Sequence, residues 1–283
     1  IPQKWQLNNS GQNNPIVVIL FVPSGHPVDE VLWGARSGGA QHEKDQIRVM
    51  AQKGLAEILP RGSIIIDGGN SFYKDSIRRY ELLKKHGIEF LDMGTSGGLE
   101  GARKGACLIV GGDEAIFTRV EPILTKIAVK DGYAYFGPIG AGHFVKMVHN
   151  GIEYALVQSF GEGFEILKRG PYKLNLTHVA DIYSRGSVIR GWIIELLARA
   201  LKNDPELSKF QGKIAGGETG VWTYQTAKEL NVAAPAIAAA LGARKNSQVT
   251  QSFAGKVISA LRAQWGEHSE GRLHPSLEAL ELE

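Results

Sequence analysis

Cysteine is almost missing from this chain: Cys107 is the only one in 283 residues. A single cysteine excludes an internal disulfide framework and suits a reducing compartment, so a cytoplasmic location is expected. Long hydrophobic runs are also missing. The longest purely apolar stretch, "IVVILFV" at 16–22, is far short of the roughly 20 residues that span a bilayer, and no membrane partner is expected. Charge of one sign is scarce: 32 basic against 29 acidic residues leave a net +3, which gives no footing for nucleic acid. No metal site is expected. One further absence concerns glycine spacing. Dinucleotide-binding domains open with strand–GxGxxG–helix, the cofactor pyrophosphate resting on that helix N-terminus, and no such fingerprint precedes residue 16. The polar, turn-rich opening "IPQKWQLNNSGQNNP" reads as the ragged start of a piece whose true beginning lies upstream.

What is present is an ordinary globular composition, 43% hydrophobic and 22% charged, with 35 glycines. The β-branched run at 16–22 reads as a buried parallel strand. A helix over 42–59, a strand at 63–67, a helix over 74–86 ended by Gly87, and strands at 88–93, 106–112 and 133–137 continue the alternation, with a helix from Asp113 to about Ala128. Strands alternating with helices predict an α/β domain with a largely parallel sheet. Beyond residue 140 the pattern is helical throughout: 143–169, 176–202, 223–230, 233–243 and 248–265. The expected architecture is therefore α/β then all-α, with a partial dinucleotide-binding domain over 1–140 and a helical substrate-binding and dimerisation domain over 141–283.

The stretch "AGHFVKMVHNGIEY" (141–154) carries the most chemistry. It is apolar nearly all round, which marks a buried helix, yet Lys146, His149, Asn150 and Glu153 fall on one stripe at spacings of three, four and seven. Lys146 and Glu153 point the same way, about 10 Å apart along the axis. Unpaired buried charge is costly, so the stripe must be paired internally or line a wet cleft. Three glycine-rich strand ends, "DGGNS" (67–71), "GTSGG" (94–98) and "GPIGAGH" (137–143), stand where ligands bind in open α/β sheets.

Taken together, "DGGNSFYKD", "GTSGGLEGARKGACLIVGG" and "GAGHFVKMVHNGIEY" resemble the 6-phosphogluconate dehydrogenase family, in its shorter, often NAD-linked branch. "RGSVIRGW" (185–192) and "LRAQWGEH" (261–268) agree. The resemblance implies Lys146 as general base and Glu153 as general acid. It implies Asn70, Ser96, Gly97, Gly98, His149, Asn150 and Tyr154 as residues holding substrate or nicotinamide, and Arg190 as a phosphate-binding arginine. Val22, Pro23, Ser24 and Asn70 would form what remains of the cofactor wall, for NAD or NADP with NAD favoured. Arg262 and His268 match residues that the family's tail inserts into a neighbouring subunit's site, so the resemblance implies a homodimer or higher homo-oligomer acting on a sugar phosphate.

Two stretches depart from the family. Residues 34–54, "GARSGGAQHEKDQIRVMAQKG", look like an insertion, and in "GETGVWT" (217–223) the family's lysine stands as Gly217 or is displaced. Three functions remain in view: oxidative decarboxylation of 6-phosphogluconate, oxidation of a smaller 3-hydroxy acid without decarboxylation, and a non-catalytic sugar-phosphate-binding fragment. Without the glycine fingerprint, weak dinucleotide binding is expected.

Overall fold

A computed structural model describes residues 14–34 and 53–282. Most of the stretch read as an insertion, and most of the helix expected over 42–59, lies outside these described residues. Five strands, β1 (Val17–Leu20), β2 (Ile64–Asp67), β3 (Glu89–Ser96), β4 (Ala106–Gly112) and β5 (Ala128–Tyr135), form one sheet in the order β1-β2-β3-β4-β5. Pairs β1–β2 and β2–β3 are parallel, in a register that aligns Leu20 with Asp67 and Asp67 with Asp92. Every residue of β2 is buried, as its run of isoleucines predicts for a central parallel strand. Between the strands run α1 (His26–Trp33), α2 (Leu55–Ile58), α3 (Tyr73–Lys85), α4 (Gly98–Lys104) and α5 (Glu114–Ile127). The eight-residue α1 was not expected. Pro27 sits in its first turn, where proline is tolerated because the missing N–H has no partner there anyway.

Helices then follow without a further strand element: α6 (Ala141–Arg169), α7 (Leu176–Tyr183), α8 (Trp192–Asn203), α9 (Glu218–Glu229), α10 (Pro235–Asn246), α11 (Phe253–Gly266) and α12 (Pro275–Glu278). The 143–169 expectation is met by the single 29-residue α6. The expected helix over 176–202 is instead broken at 184–191, where Gly186 (φ 71°) and Gly191 (φ 156°) leave helical space. Among the described residues no helix is long and apolar enough to cross a membrane, and no group of three or more His, Cys, Asp or Glu is placed to hold a metal ion.

By its internal contacts the chain divides into two units. The first runs to Gly94 and adds Val110–Pro122 and Tyr135–His143; the second takes Thr95–Ile109, Ile123–Ala134 and everything from Phe144. In the first, a core of Leu20, Val28, Leu32, Ile65, Leu83 and Phe90 surrounds a buried charge cluster. Arg79, fully buried, donates from Nε to Asp29 (2.9 Å) and from Nη2 to the Gly25 carbonyl (2.9 Å), and its Nη1 faces Asp67 at 3.5 Å. Asp67 also accepts from Ser71 Oγ (2.7 Å) and Gly69 N (3.2 Å). One guanidinium thus ties the loop after β1 to the turn after β2. Its neighbour on the register, Asp92, accepts from Gly140 N and His143 N, both at 2.7 Å, and so anchors the start of α6.

In the second unit the main core joins Phe160 and Phe164 of α6, Ile194, Leu197 and Leu201 of α8, and Val257, Ile258 and Leu261 of α11. Replacing Arg79 with Met should cost about 3–5 kcal/mol, because removing one partner leaves buried carboxylate charge uncompensated. Urea unfolding of the variant checks this; a midpoint equal to the parent's would contradict it.

Candidate active site

The expected site residues divide between the two units. In the first, Val22, Pro23 and Ser24 lie in the loop after β1 and Asn70 in the turn after β2, at the carboxyl ends of adjacent parallel strands. Pro23 and Asn70 are exposed, Val22 and Ser24 half-buried. These are the strand ends at which dinucleotides are held in open α/β sheets. A helix N-terminus was not expected here, yet α1 begins directly after this loop, with Gly25 as its N-cap.

The second unit carries the polar stripe. Lys146 is buried, 6% exposed, and donates to Asn150 Oδ1 at 2.5 Å. His149 Nδ1 lies 3.1 Å from the same oxygen and its Nε2 lies 3.3 Å from Ser96 Oγ. Because the amide oxygen can only accept, Nδ1 carries the ring proton and Nε2 accepts from the serine. Ser96, His149, Asn150 and Lys146 therefore form one hydrogen-bonded chain. Burial pushes the Lys146 ammonium below its usual pKa, against the opposing pull of Glu153. His149 is lowered too, first by burial and then by Lys146, which agrees with a neutral ring. Glu153 is half-buried two turns along α6.

Gly97 and Gly98 follow Ser96 and open α4. A Cβ on Gly98 (φ 57°) would lie 2.0 Å from the Trp265 carbonyl oxygen, so only glycine lets the end of α11 approach this turn. The end of α11 carries Arg262 and His268 towards Arg244 of the same chain. The apolar face of α11 finds its cover on α6 and α8 of the same chain and brings Arg262 beside Tyr154 and Glu153. Val249, expected on that face, precedes the helix and is 85% exposed. His268 is exposed, and its pKa is lowered by partial desolvation and then by Arg262 and Arg244.

Arg190 is exposed in the 184–191 break, where it donates to the Ser187 carbonyl within its own turn. The structure adds a further arginine. Arg244 of α10, 4% exposed, stacks over the Tyr154 ring at 4.0 Å and donates to the Ala215 carbonyl at 3.0 Å. Its charge, after burial, helps lower Arg262 to about 10. The sequence signal for Arg244 was faint, because "GARKN" reads as a basic last helical turn facing the dipole. Tyr154 is held in turn by Thr219 Oγ1 at 3.4 Å.

The fold is that of two-part nicotinamide-dependent dehydrogenases. A solved 3-hydroxyisobutyrate dehydrogenase from Salmonella typhimurium matches 86% of this chain and 78% of its own with a TM-score of 0.66 at 19% identity. The Plasmodium falciparum 6-phosphogluconate dehydrogenase, whose structures include NADP+ and 6-phosphogluconate complexes, gives 0.66 at 30% identity over 90% of this chain and 57% of that one. Profiles described as the NAD binding domain and the C-terminal domain of 6-phosphogluconate dehydrogenase match residues 40–137 and 142–270. YqeC of Bacillus subtilis, provisionally named a 6-phosphogluconate dehydrogenase, is 46% identical over 76% of this chain and 72% of its own. The NAD(+)-dependent, decarboxylating 6-phosphogluconate dehydrogenase of Haloferax volcanii is 41% identical over 74% of this chain and 70% of its own.

The chain belongs to the 6-phosphogluconate dehydrogenase family of oxidoreductases. It spans only 45% of the Schizosaccharomyces pombe relative. The family match begins at residue 40, inside the 34–54 stretch.

The lowered Lys146 has a measurable consequence for stability. The unfolded chain holds that proton more tightly than the folded one, so the burial cost is greatest at low pH and fades as pH rises towards the ordinary lysine value of about 10.4. The stability of Lys146→Met relative to the parent should therefore be higher at neutral than at alkaline pH in urea titrations. A difference independent of pH would contradict the shift.

Proposed function

We propose that this protein oxidatively decarboxylates 6-phosphogluconate to ribulose 5-phosphate, with Lys146 as base and Glu153 as acid. The observation that carries the reading is that Glu153 of α6 acts on both the desolvated Lys146 and Arg262, which has the guanidinium of Arg244 as its neighbour. Two like charges held together in a half-buried place call for an anion of more than one charge, and guanidinium groups match phosphate bidentately. A bound NAD or NADP supplies the hydride acceptor for the C3 carbon. Lys146, neutral by burial, takes the C3 hydroxyl proton, with Asn150 and the Ser96–His149 pair orienting the sugar hydroxyls. As an ammonium, Lys146 then polarises the C3 ketone while C1 leaves as CO2. Glu153 delivers a proton to the former C2 of the resulting enediol, which becomes C1 of ribulose 5-phosphate. Gly97 and Gly98 let the substrate carboxylate approach backbone N–H groups.

Tyr154 underlies the phosphate arginines, and His268 adds a contact at the pocket mouth. Asn70 joins the nicotinamide side with Val22, Pro23 and Ser24. The lone exposed Cys107 supports a reducing, cytoplasmic setting. Ile152 and Ile166, 60% and 71% exposed on α6, support a homodimer. NAD is favoured over NADP by the likeness to the NAD(+)-dependent Haloferax relative.

A second reading, oxidation of a smaller 3-hydroxy acid, is favoured by the shared fold of the 3-hydroxyisobutyrate enzyme, but such a substrate leaves the two guanidinium groups without a phosphate. The test is turnover of 6-phosphogluconate against 3-hydroxyisobutyrate, following both reduced nucleotide and CO2. We expect CO2 in step with reduced nucleotide for the sugar phosphate only. Lys146→Ala should lower kcat by about 10²–10⁴, and Glu153→Gln should slow release of ribulose 5-phosphate. Near-normal kcat in Lys146→Ala, or turnover without CO2, would contradict the proposal.

A further inference from the structure

Beyond α11 the chain doubles back across the first turn of α9. Gly216 N donates to the Arg272 carbonyl (3.2 Å), His274 N donates to the Gly216 carbonyl (3.0 Å), and Gly216 bridges Leu273. His274 Nε2 meets Glu218 Oε1 at 3.3 Å, while its Nδ1 accepts from Ser276 N at 3.2 Å. Since Nδ1 accepts a backbone N–H, the proton on the neutral ring sits on Nε2 and points at the carboxylate. Leu277 is fully buried among Val221, Tyr224 and Leu241. Further along, Lys245 Nζ donates to the carbonyls of Glu278 (3.3 Å) and Leu280 (2.8 Å). The segment from Arg272 to Leu282 is thus fastened at three places to α9 and α10.

What lies on the other side of the same turn gives the segment its meaning. The Ala215 carbonyl accepts from Arg244, and a Cβ on Gly216 would stand 3.4 Å from Arg262 Nη2 and 3.8 Å from Arg244 Nη1. The turn at 215–217 is therefore gripped between the returning segment and both guanidinium groups. Gly217 (φ 125°) has no room for a side chain, because a Cβ there would lie 2.4 Å from Leu277 Cδ2. Leu277 fills the space from which a residue at 217 would otherwise reach the pocket.

We propose that Arg272–Leu282 is a strap that sets the spacing of the Arg244–Arg262 pair through the 215–217 turn, with His274 and Leu277 as positioning residues for the phosphate end of the substrate. This rests on the sugar-phosphate reading above. The strap's polar contacts reach the turn, α9 and α10, so it discriminates between phosphorylated and unphosphorylated sugar acids through the arginine pair.

The test compares the parent with Leu277→Ala, the volume-conserving Leu277→Met, and His274→Asn, which keeps a capping oxygen for Ser276 N but cannot reach Glu218. Binding of 6-phosphogluconate and of gluconate is measured by calorimetry, and amide exchange at 215–221 is followed without ligand. Leu277→Ala and His274→Asn should weaken 6-phosphogluconate about tenfold, leave gluconate unchanged and speed exchange at 215–221; Leu277→Met should match the parent. Equal weakening of both ligands, or unchanged affinity and exchange in His274→Asn, would overturn the strap. If the parent binds neither ligand, the sugar-phosphate reading falls, and exchange alone decides whether the strap holds the turn: unaltered exchange overturns it.

Discussion

Keeping an ammonium group out of water on α6 is the constraint from which the rest of the candidate site follows. Lys146 is 6% exposed with one close hydrogen-bond acceptor, Asn150 Oδ1. Burial in an apolar helix disfavours its charged form, and the carboxylate of Glu153 only partly offsets this. The same desolvation keeps His149 neutral and fixes which of its nitrogens accepts from Ser96. A helix that is apolar on its remaining faces is needed to maintain that environment, and α6 gets it from α8 and α11 packing around Phe160 and Phe164. The core that stabilises the second unit also maintains the low-dielectric surroundings that lower Lys146.

The first unit shows a related device at the ends of its strands. Asp67 and Asp92 are in register and fully buried, and each spends its carboxylate on backbone N–H groups of the segment that follows or crosses it. Loops that must be placed accurately are thus tied to the rigid part of the sheet by buried charge, and Arg79 adds the tie to the loop after β1. Such charges stabilise little by themselves but are costly to leave unpaired. They hold geometry.

Much of this was legible in the sequence because it follows from period and local chemistry. The stripe at 146, 149, 150 and 153 is a matter of helical spacing, and the strand–turn alternation of the first 140 residues follows from runs of isoleucine and valine ended by glycine. The misses are tertiary. Arg244 looks like a dipole-facing cation at a helix end and becomes a site residue only through the Tyr154 ring beneath it. Arg190 sits in a stretch as apolar as a helix, but Gly186 and Gly191 turn that stretch into an exposed break. The apolar face of α11 demands a surface without saying whose, and its own chain provides it. The helix α1 was hidden because proline and glycine at its start read equally well as loop.

Burial is what lowers the Lys146 pKa and would suit it to the proposed role of base. Nitrogen-15 NMR of the lysine ζ-nitrogens, with Lys146→Met used to assign its signal, measures this directly through a pH titration of the folded protein. The account predicts that the Lys146 signal titrates below every exposed lysine, and lower still in Glu153→Gln, where the opposing carboxylate charge is gone. A Lys146 signal titrating together with the exposed lysines near about 10.4 would contradict it.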